Sequence, residues 1–137
     1  MSYVSRIMAS HPRHVASEQA PDLATVIEAC YQCHQACLAC ADACLGESMP
    51  GEVARCIRLN LDCADVSLAA GSVLIRPTVQ HRVADALLRA CIAACEFAEE
   101  ECARHAATHP HCEVCRQACE ACREACGRAR ASFSGTA

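Results

Sequence analysis

At 137 residues the chain is long enough for one domain with a modest core. It holds 15 cysteines, no tryptophan, two phenylalanines and two tyrosines, so thiols must fill much of the space that large apolar side chains fill elsewhere. The net charge is -4, all 12 basic residues are arginine and no basic run occurs, which argues against a nucleic-acid partner, and no apolar run is long enough to span a membrane.

In chain order the signals are helical throughout, and no alternating strand pattern appears. Residues 2–17 predict a short helix, interrupted or kinked near Pro12. The opening MSYVSRIMASHPRHV has neither an apolar signal-peptide core nor twin arginines, so a cytosolic, reducing compartment is expected. A break follows at EQAPD, where Pro21 suits a first helical turn. A helix is predicted from Asp22 to Leu45, with Gly46 as its cap. After ESMPGE, Pro50 starts a helix that reaches Leu74, with Gly71 a weak point inside it. Arg76-Pro77 ends that helix. Thr78 is placed to cap a long helix to Thr108. His109-Pro110 breaks it, a last helix covers His111 to Ala131, and the tail SFSGTA is expected to fray. Four long helices with short connections predict an all-α, antiparallel four-helix bundle with a short additional N-terminal helix. The whole of 1–137 reads as a single domain, with residues 1–20 as short helix and linker, 22–131 as the bundle and 132–137 as a tail.

The cysteines follow a rule. CYQCHQACLACADAC at 30–44 and CEVCRQACEACREAC at 112–126 share the template C-x-x-C-x-Q-A-C-x-A-C-x-x-A-C. Cys30, Cys33, Cys37, Cys40 and Cys44 therefore occupy the a and d positions of two heptads, and Cys112, Cys115, Cys119, Cys122 and Cys126 repeat them. Such positions form one stripe facing the bundle axis, about 21 Å long at a helical rise of about 1.5 Å per residue. Glu28, Gln35, Asp42, Glu113, Glu120 and Arg123 fall off the stripes and can face water. The other two helices carry Cys56 and Cys63, and Cys91, Cys95 and Cys102, whose seam continues to His105 and His109. Up-down topology then gathers Cys44, Met49, Cys56, Cys102, His105, His109, His111 and Cys112 at one end. The other end collects Leu23, Val26, Ile27, Val73, Leu74, Val83, Leu87, Leu88 and Phe133.

Several chemistries compete for such a pattern. Cysteine packs as a small hydrophobe, but leucine or alanine would do so without oxidation risk. Disulfides between residues three or four apart would strain a helix, because Cβ atoms about 5–6 Å apart must close to near 4 Å. CYQCH at 30–34 matches a haem-attachment pattern, yet the repeat carries Arg116 where a second histidine would stand. A thioredoxin-like reading lacks its βαβ context. Metal binding remains. Structural zinc wants four closed ligands, and iron–sulfur clusters want thiolates converging from loops. A regular stripe offers pairs of thiolates with a third sulfur near, which suits soft Cu(I). Buried thiolates also need compensating charge, and one Cu(I) per thiolate leaves the axis neutral. A capacity on the order of fifteen ions follows, with a few more through histidine. All fifteen cysteines are candidate ligands, joined by His105, His109 and His111 at the mouth. Met49 is a further candidate as a transient thioether ligand at that end, Asn60 is a candidate near the axis, His34 is placed on a flank, and His11, His14 and His81 are read as structural or solvated. Zinc, an iron–sulfur cluster and thiol redox chemistry stay as alternatives.

The paired stripes, with Cys56, Cys63, Cys91, Cys95 and Cys102, resemble the bacterial copper storage proteins over residues 22 to 131. The resemblance implies a four-helix bundle that binds many Cu(I) ions, assembles as a homotetramer and loads through one open end. It implies a non-enzymatic role in copper storage or detoxification, in the cytosolic branch, supplied by a small copper chaperone. Met49, His105, His109 and His111 fall where that opening is expected. Two departures stand out: the helix from 50 to 74 has only two cysteines, and the mouth is richer in histidine than methionine.

Overall fold

A computed structural model describes residues 2–13 and 20–133, with the backbone alone for Ala20 and Phe133. The readings placed on residues 14–19, including His14, on the Phe133 side chain and on the tail at 134–137 lie outside the described residues. Helix α1 (Tyr3–Ser10) begins at Ser2, whose hydroxyl accepts from the Ser5 amide at 3.1 Å. It ends at Ser10 instead of running through a kink, because His11 precedes Pro12 and takes an extended conformation.

The bundle helices are α2 (Ala20–Leu45), α3 (Ala54–Leu74), α4 (His81–His105) and α5 (Pro110–Phe133). A 3-10 turn at Pro50–Val53 leads into α3, so Pro50 starts a tighter turn than the predicted helix. Gly46 does not cap α2 in the left-handed conformation, since no glycine among the described residues has positive φ. Its amide donates to the Asp42 and Ala43 carbonyls at 3.2 and 3.0 Å, closing α2 in right-handed turns. Thr78 does not cap α4. Gln80 holds that position, its carbonyl accepting from the Val83 and Ala84 amides, both at 3.0 Å. Pro110 opens α5, where its missing N–H is harmless.

Each bundle helix packs on two others, in the closed ring α2–α3–α4–α5, and α1 lies against α2. With short connections between successive helices this is the expected antiparallel bundle, and the described residues contain no strand. The core is cysteine and alanine along most of its length. Most of the larger buried apolar side chains gather at one end, where Leu23, Val26, Ile27, Leu74 and Leu88 form a plug, while Val53 is buried at the other. Leu87 packs against it half-buried, and Val73 is half-buried at the same end. Val83 is not part of the plug, being 48% exposed at the start of α4. On the outside, Arg123 to Glu99 at 2.8 Å and Arg130 to Asp85 at 2.9 Å join α4 and α5, partly exposed pairs of small energetic weight.

Gly71 is a fitting element rather than a weak point. It is buried inside α3, and a Cβ there would lie 3.2 Å from Tyr31 Cε2 and 3.3 Å from Cys30 Cβ. Its missing side chain lets α2 and α3 approach beside the closed end. Gly127 on α5 is exposed, with nothing within 4 Å of the position a Cβ would take. Gly71→Leu is therefore expected to destabilise the reduced, metal-free protein by about 1–3 kcal/mol through overpacking. Gly127→Ala should stabilise it by about 1 kcal/mol through helix propensity. Denaturant unfolding of the two variants against the wild type measures both.

Candidate metal centre

All fifteen cysteines are free and buried. Heptad spacing turns every one inward: α2 and α5 supply full stripes, α3 supplies Cys56 and Cys63, and α4 supplies Cys91, Cys95 and Cys102. Next to the apolar plug, Cys30, Cys91, Cys122 and Cys126 have sulfurs all within 4.8 Å of one another. Cys122 Sγ lies 3.9 Å from Cys30 and 3.7 Å from Cys91. In the middle, Cys33 contacts Cys37, Cys63, Cys95 and Cys119 at 3.9, 3.7, 4.0 and 4.0 Å. Cys115 continues the column to Cys37 at 3.8 Å. Towards the mouth, Cys56 and Cys102 lie 3.7 Å apart and Cys40 and Cys112 lie 3.9 Å apart. These separations are far beyond a disulfide bond of about 2.05 Å. They suit two sulfurs sharing one ion, given a typical metal–thiolate bond of about 2.3 Å.

The same packing removes the haem reading of CYQCH. Cys30 and Cys33 are both enclosed among thiols, and His34 Nδ1 bonds the Ala64 carbonyl at 2.7 Å. His34 is thus the flank residue expected, tying α2 to α3. His11 Nδ1 accepts from the Arg13 amide at 3.0 Å, a local turn contact. His81 is exposed at the start of α4.

Asn60 sits fully in the axis, in a seam position of α3 between Cys56 and Cys63. Its Nδ2 donates to Cys56 Sγ at 3.5 Å, while Oδ1 accepts from Cys102 at 3.5 Å and Cys115 at 3.4 Å. The amide links the mouth thiols to the middle of the column. The next seam position holds Ser67, whose hydroxyl turns back to the Cys63 carbonyl at 2.7 Å.

Protonation follows from burial. At the mouth, desolvation pushes the Cys44 and Cys112 thiols up, and the nearby Cys56 sulfur adds to this. Deeper in, shared S–H···S bonds divide the thiols. Cys33 is lowered, first by its bond with Cys119, while Cys37 is raised, first by Cys115. Such a group gains and loses protons as a unit. Fifteen thiolates could not coexist in this dry axis, so without cations the column is largely neutral thiol.

Three histidines converge at the mouth. The His105 and His109 ring centroids are 6.1 Å apart, and those of His109 and His111 are 5.6 Å apart, both pairs stacked. Of the three, His111 reaches the thiols, its Nδ1 lying 3.5 Å from Cys40 Sγ and 3.6 Å from Cys112 Sγ. Its Nε2 donates to Glu47 Oε1 at 2.8 Å, and His109 Nδ1 lies 3.5 Å from the same oxygen. The His111 bond holds the Glu47 carboxyl below its ordinary range. Nothing in the heptad pattern marks Glu47. Its only signal in the sequence is its place on the connection that topology brings to the histidine end. Met49, on the same connection, is 60% exposed.

The copper storage protein family profile matches residues 19–131. The chain belongs to the copper storage protein family. Copper storage is its function, and the buried thiol column is the feature that suits it to holding many ions. The copper storage protein Ccsp of Streptomyces lividans, in a structure loaded with 10 copper equivalents, is 42% identical. That match covers 94% of this chain and 98% of Ccsp, with a TM-score of 0.91. A structure of a cytosolic copper storage protein from Streptomyces lividans with five coppers is 44% identical, covers 83% of this chain and 95% of that one, and gives a TM-score of 0.80. The uncharacterised cysteine-rich protein YhjQ of Bacillus subtilis (strain 168) is 37% identical over 92 residues, which are 67% of this chain and 81% of YhjQ. Among the described residues no helix is long and apolar enough to cross a membrane.

The His34 contact separates scaffold from metal column in this storage protein. His34→Ala is expected to cost about 1 kcal/mol of stability through the lost bond to Ala64, with copper capacity unchanged. Unfolding curves and metal analysis on the same sample check the pair of outcomes.

Proposed function

We propose that this chain holds copper as Cu(I), with Cys30, Cys33, Cys37, Cys40, Cys44, Cys56, Cys63, Cys91, Cys95, Cys102, Cys112, Cys115, Cys119, Cys122 and Cys126 as ligands. His105, His109 and His111 receive ions at the mouth, with Met49 a transient contact beside them. The observation that carries this is the column itself: fifteen buried, unpaired thiols in sulfur–sulfur contact from the plug to the histidines. Each ion entering as Cu(I) breaks one S–H bond and releases that proton, and the thiolate left behind binds the ion together with a neighbouring sulfur, so the axis stays neutral as it fills. Zinc in a tetrathiolate site would leave two negative charges in the same dry space.

The role is non-enzymatic. No exposed thiol stands with an activating base, as a redox catalyst needs. A cytosolic location is supported by the description of the Streptomyces relative. A single domain, with residues 22–131 as the storage unit, a homotetrameric assembly and supply by a small copper chaperone complete the reading.

Anaerobic titration of the reduced protein against a coloured Cu(I) chelator tests it. Saturation is expected on the order of fifteen ions per chain, with zinc failing to displace them. Saturation at three or four ions, with zinc competing effectively, would sink the Cu(I) reading. In weak buffer, loading at neutral pH should release about one proton per ion. Because burial raises the mouth thiols above the ordinary range, they are protonated at neutral pH. Apparent affinity must then rise with pH, by about tenfold per pH unit at a site that displaces one proton, until the free thiols themselves ionise. Chelator competition across a pH series measures that slope.

A further inference from the structure

Glu47 has no place among the ligands, yet it makes the shortest polar contact at the mouth. Its carboxylate can only accept, so the ring nitrogen facing it at 2.8 Å, His111 Nε2, carries the proton. A neutral imidazole has one proton, which leaves the Nδ1 lone pair free. That lone pair faces Cys40 and Cys112 at 3.5 and 3.6 Å, nearly equidistant from two thiols that are themselves 3.9 Å apart. The contact also ties the connection after α2 to the first turn of α5, across 64 residues of sequence. His109 Nδ1, 3.5 Å from the same Glu47 oxygen, leans on the same anchor.

We infer that Glu47 is a positioning residue for copper loading: it fixes His111 as the Nε2–H tautomer, aims Nδ1 between Cys40 and Cys112, and so sets how fast Cu(I) passes the mouth. Metal-binding histidines generally donate their other ring N–H to a carboxylate or carbonyl, and losing that partner typically costs about 10–100-fold in affinity or activity. Glu47 supplies no ligand atom to the thiol column, so its effect falls on rate and not on total copper. The inference rests on the Cu(I) reading above and extends it.

The test uses the full-length reduced protein with a coloured Cu(I)–chelator complex as donor, followed anaerobically by stopped flow. Glu47→Ala should slow uptake by about tenfold or more. Imidazole 15N shifts of His111 in the metal-free variant should lose the single Nε2–H pattern. Glu47→Gln still offers an amide oxygen to Nε2–H and should restore both the tautomer and most of the rate. In a His111→Ala background, Glu47→Ala should slow uptake no further, since the two residues act in series. Wild-type uptake by Glu47→Ala would overturn the inference. So would equal slowing in the His111→Ala background, or a Glu47→Gln variant as slow as Glu47→Ala, which would assign the effect to carboxylate charge. Capacity measured on the same samples keeps the two readings apart. A wild-type capacity far below fifteen would sink the Cu(I) store, while full capacity with unchanged rates would sink the role of Glu47 alone.

Discussion

The structure depends on the cost of charge in a dry interior. Fifteen sulfurs share an axis from which water is excluded, and each would lose much of its solvation on ionising there. Protons or cations must therefore accompany the sulfurs at all times. Protonated, they are small apolar side chains that pack like alanine with a weak hydrogen bond. Metallated, they carry their compensation with them. The bundle can thus stay folded in both states, because neither puts net charge on its axis.

That constraint explains the rest of the core. Thiols and alanines are short, so the helices approach closely, and Gly71 relieves one such approach, against Tyr31 and Cys30. Short side chains bury little apolar area each, so the buried leucines and isoleucine are concentrated with Val26 at one end, and Val53 is buried at the other. The other end gives up most such packing for imidazoles and a carboxylate. Ions bound only by the folded protein add to its stability by mass action, a contribution that grows with loading.

Much of this was legible in the sequence because the heptad is local. Spacings of three and four residues place a side chain on a helix face whatever lies elsewhere, so the stripes, the four helices and the inward direction of every cysteine could be read directly. Prolines marked the ends well, since they act on their immediate neighbours. Caps were read less well. Gly46 and Thr78 are suitable cap residues at helix ends that close by other means, because right-handed turns and the Gln80 carbonyl serve as well. Val83 belonged to the plug by pattern, but its place in the first turn of α4 leaves it in solvent. The part Glu47 plays could not be read from spacing, since it lies in a bond to a residue 64 positions away. Asn60 was legible as an axial residue, whereas its bonds to thiols on two helices besides its own were not.

The two repeated stripes stand on adjacent helices, α2 and α5, running in opposite directions. The first thiol of one therefore keeps company with the last of the other: Cys30 with Cys126 and Cys44 with Cys112, while Cys37 meets Cys119 between them. Read from either end, this wall presents nearly the same succession of sulfurs. It has no polarity of its own, and an ion inside it would meet no slope of ligand type to move along. Direction is imposed from outside the repeat, by leucine and isoleucine at one terminus and imidazole at the other. The column is a row of like sites whose asymmetry lies only at its two ends.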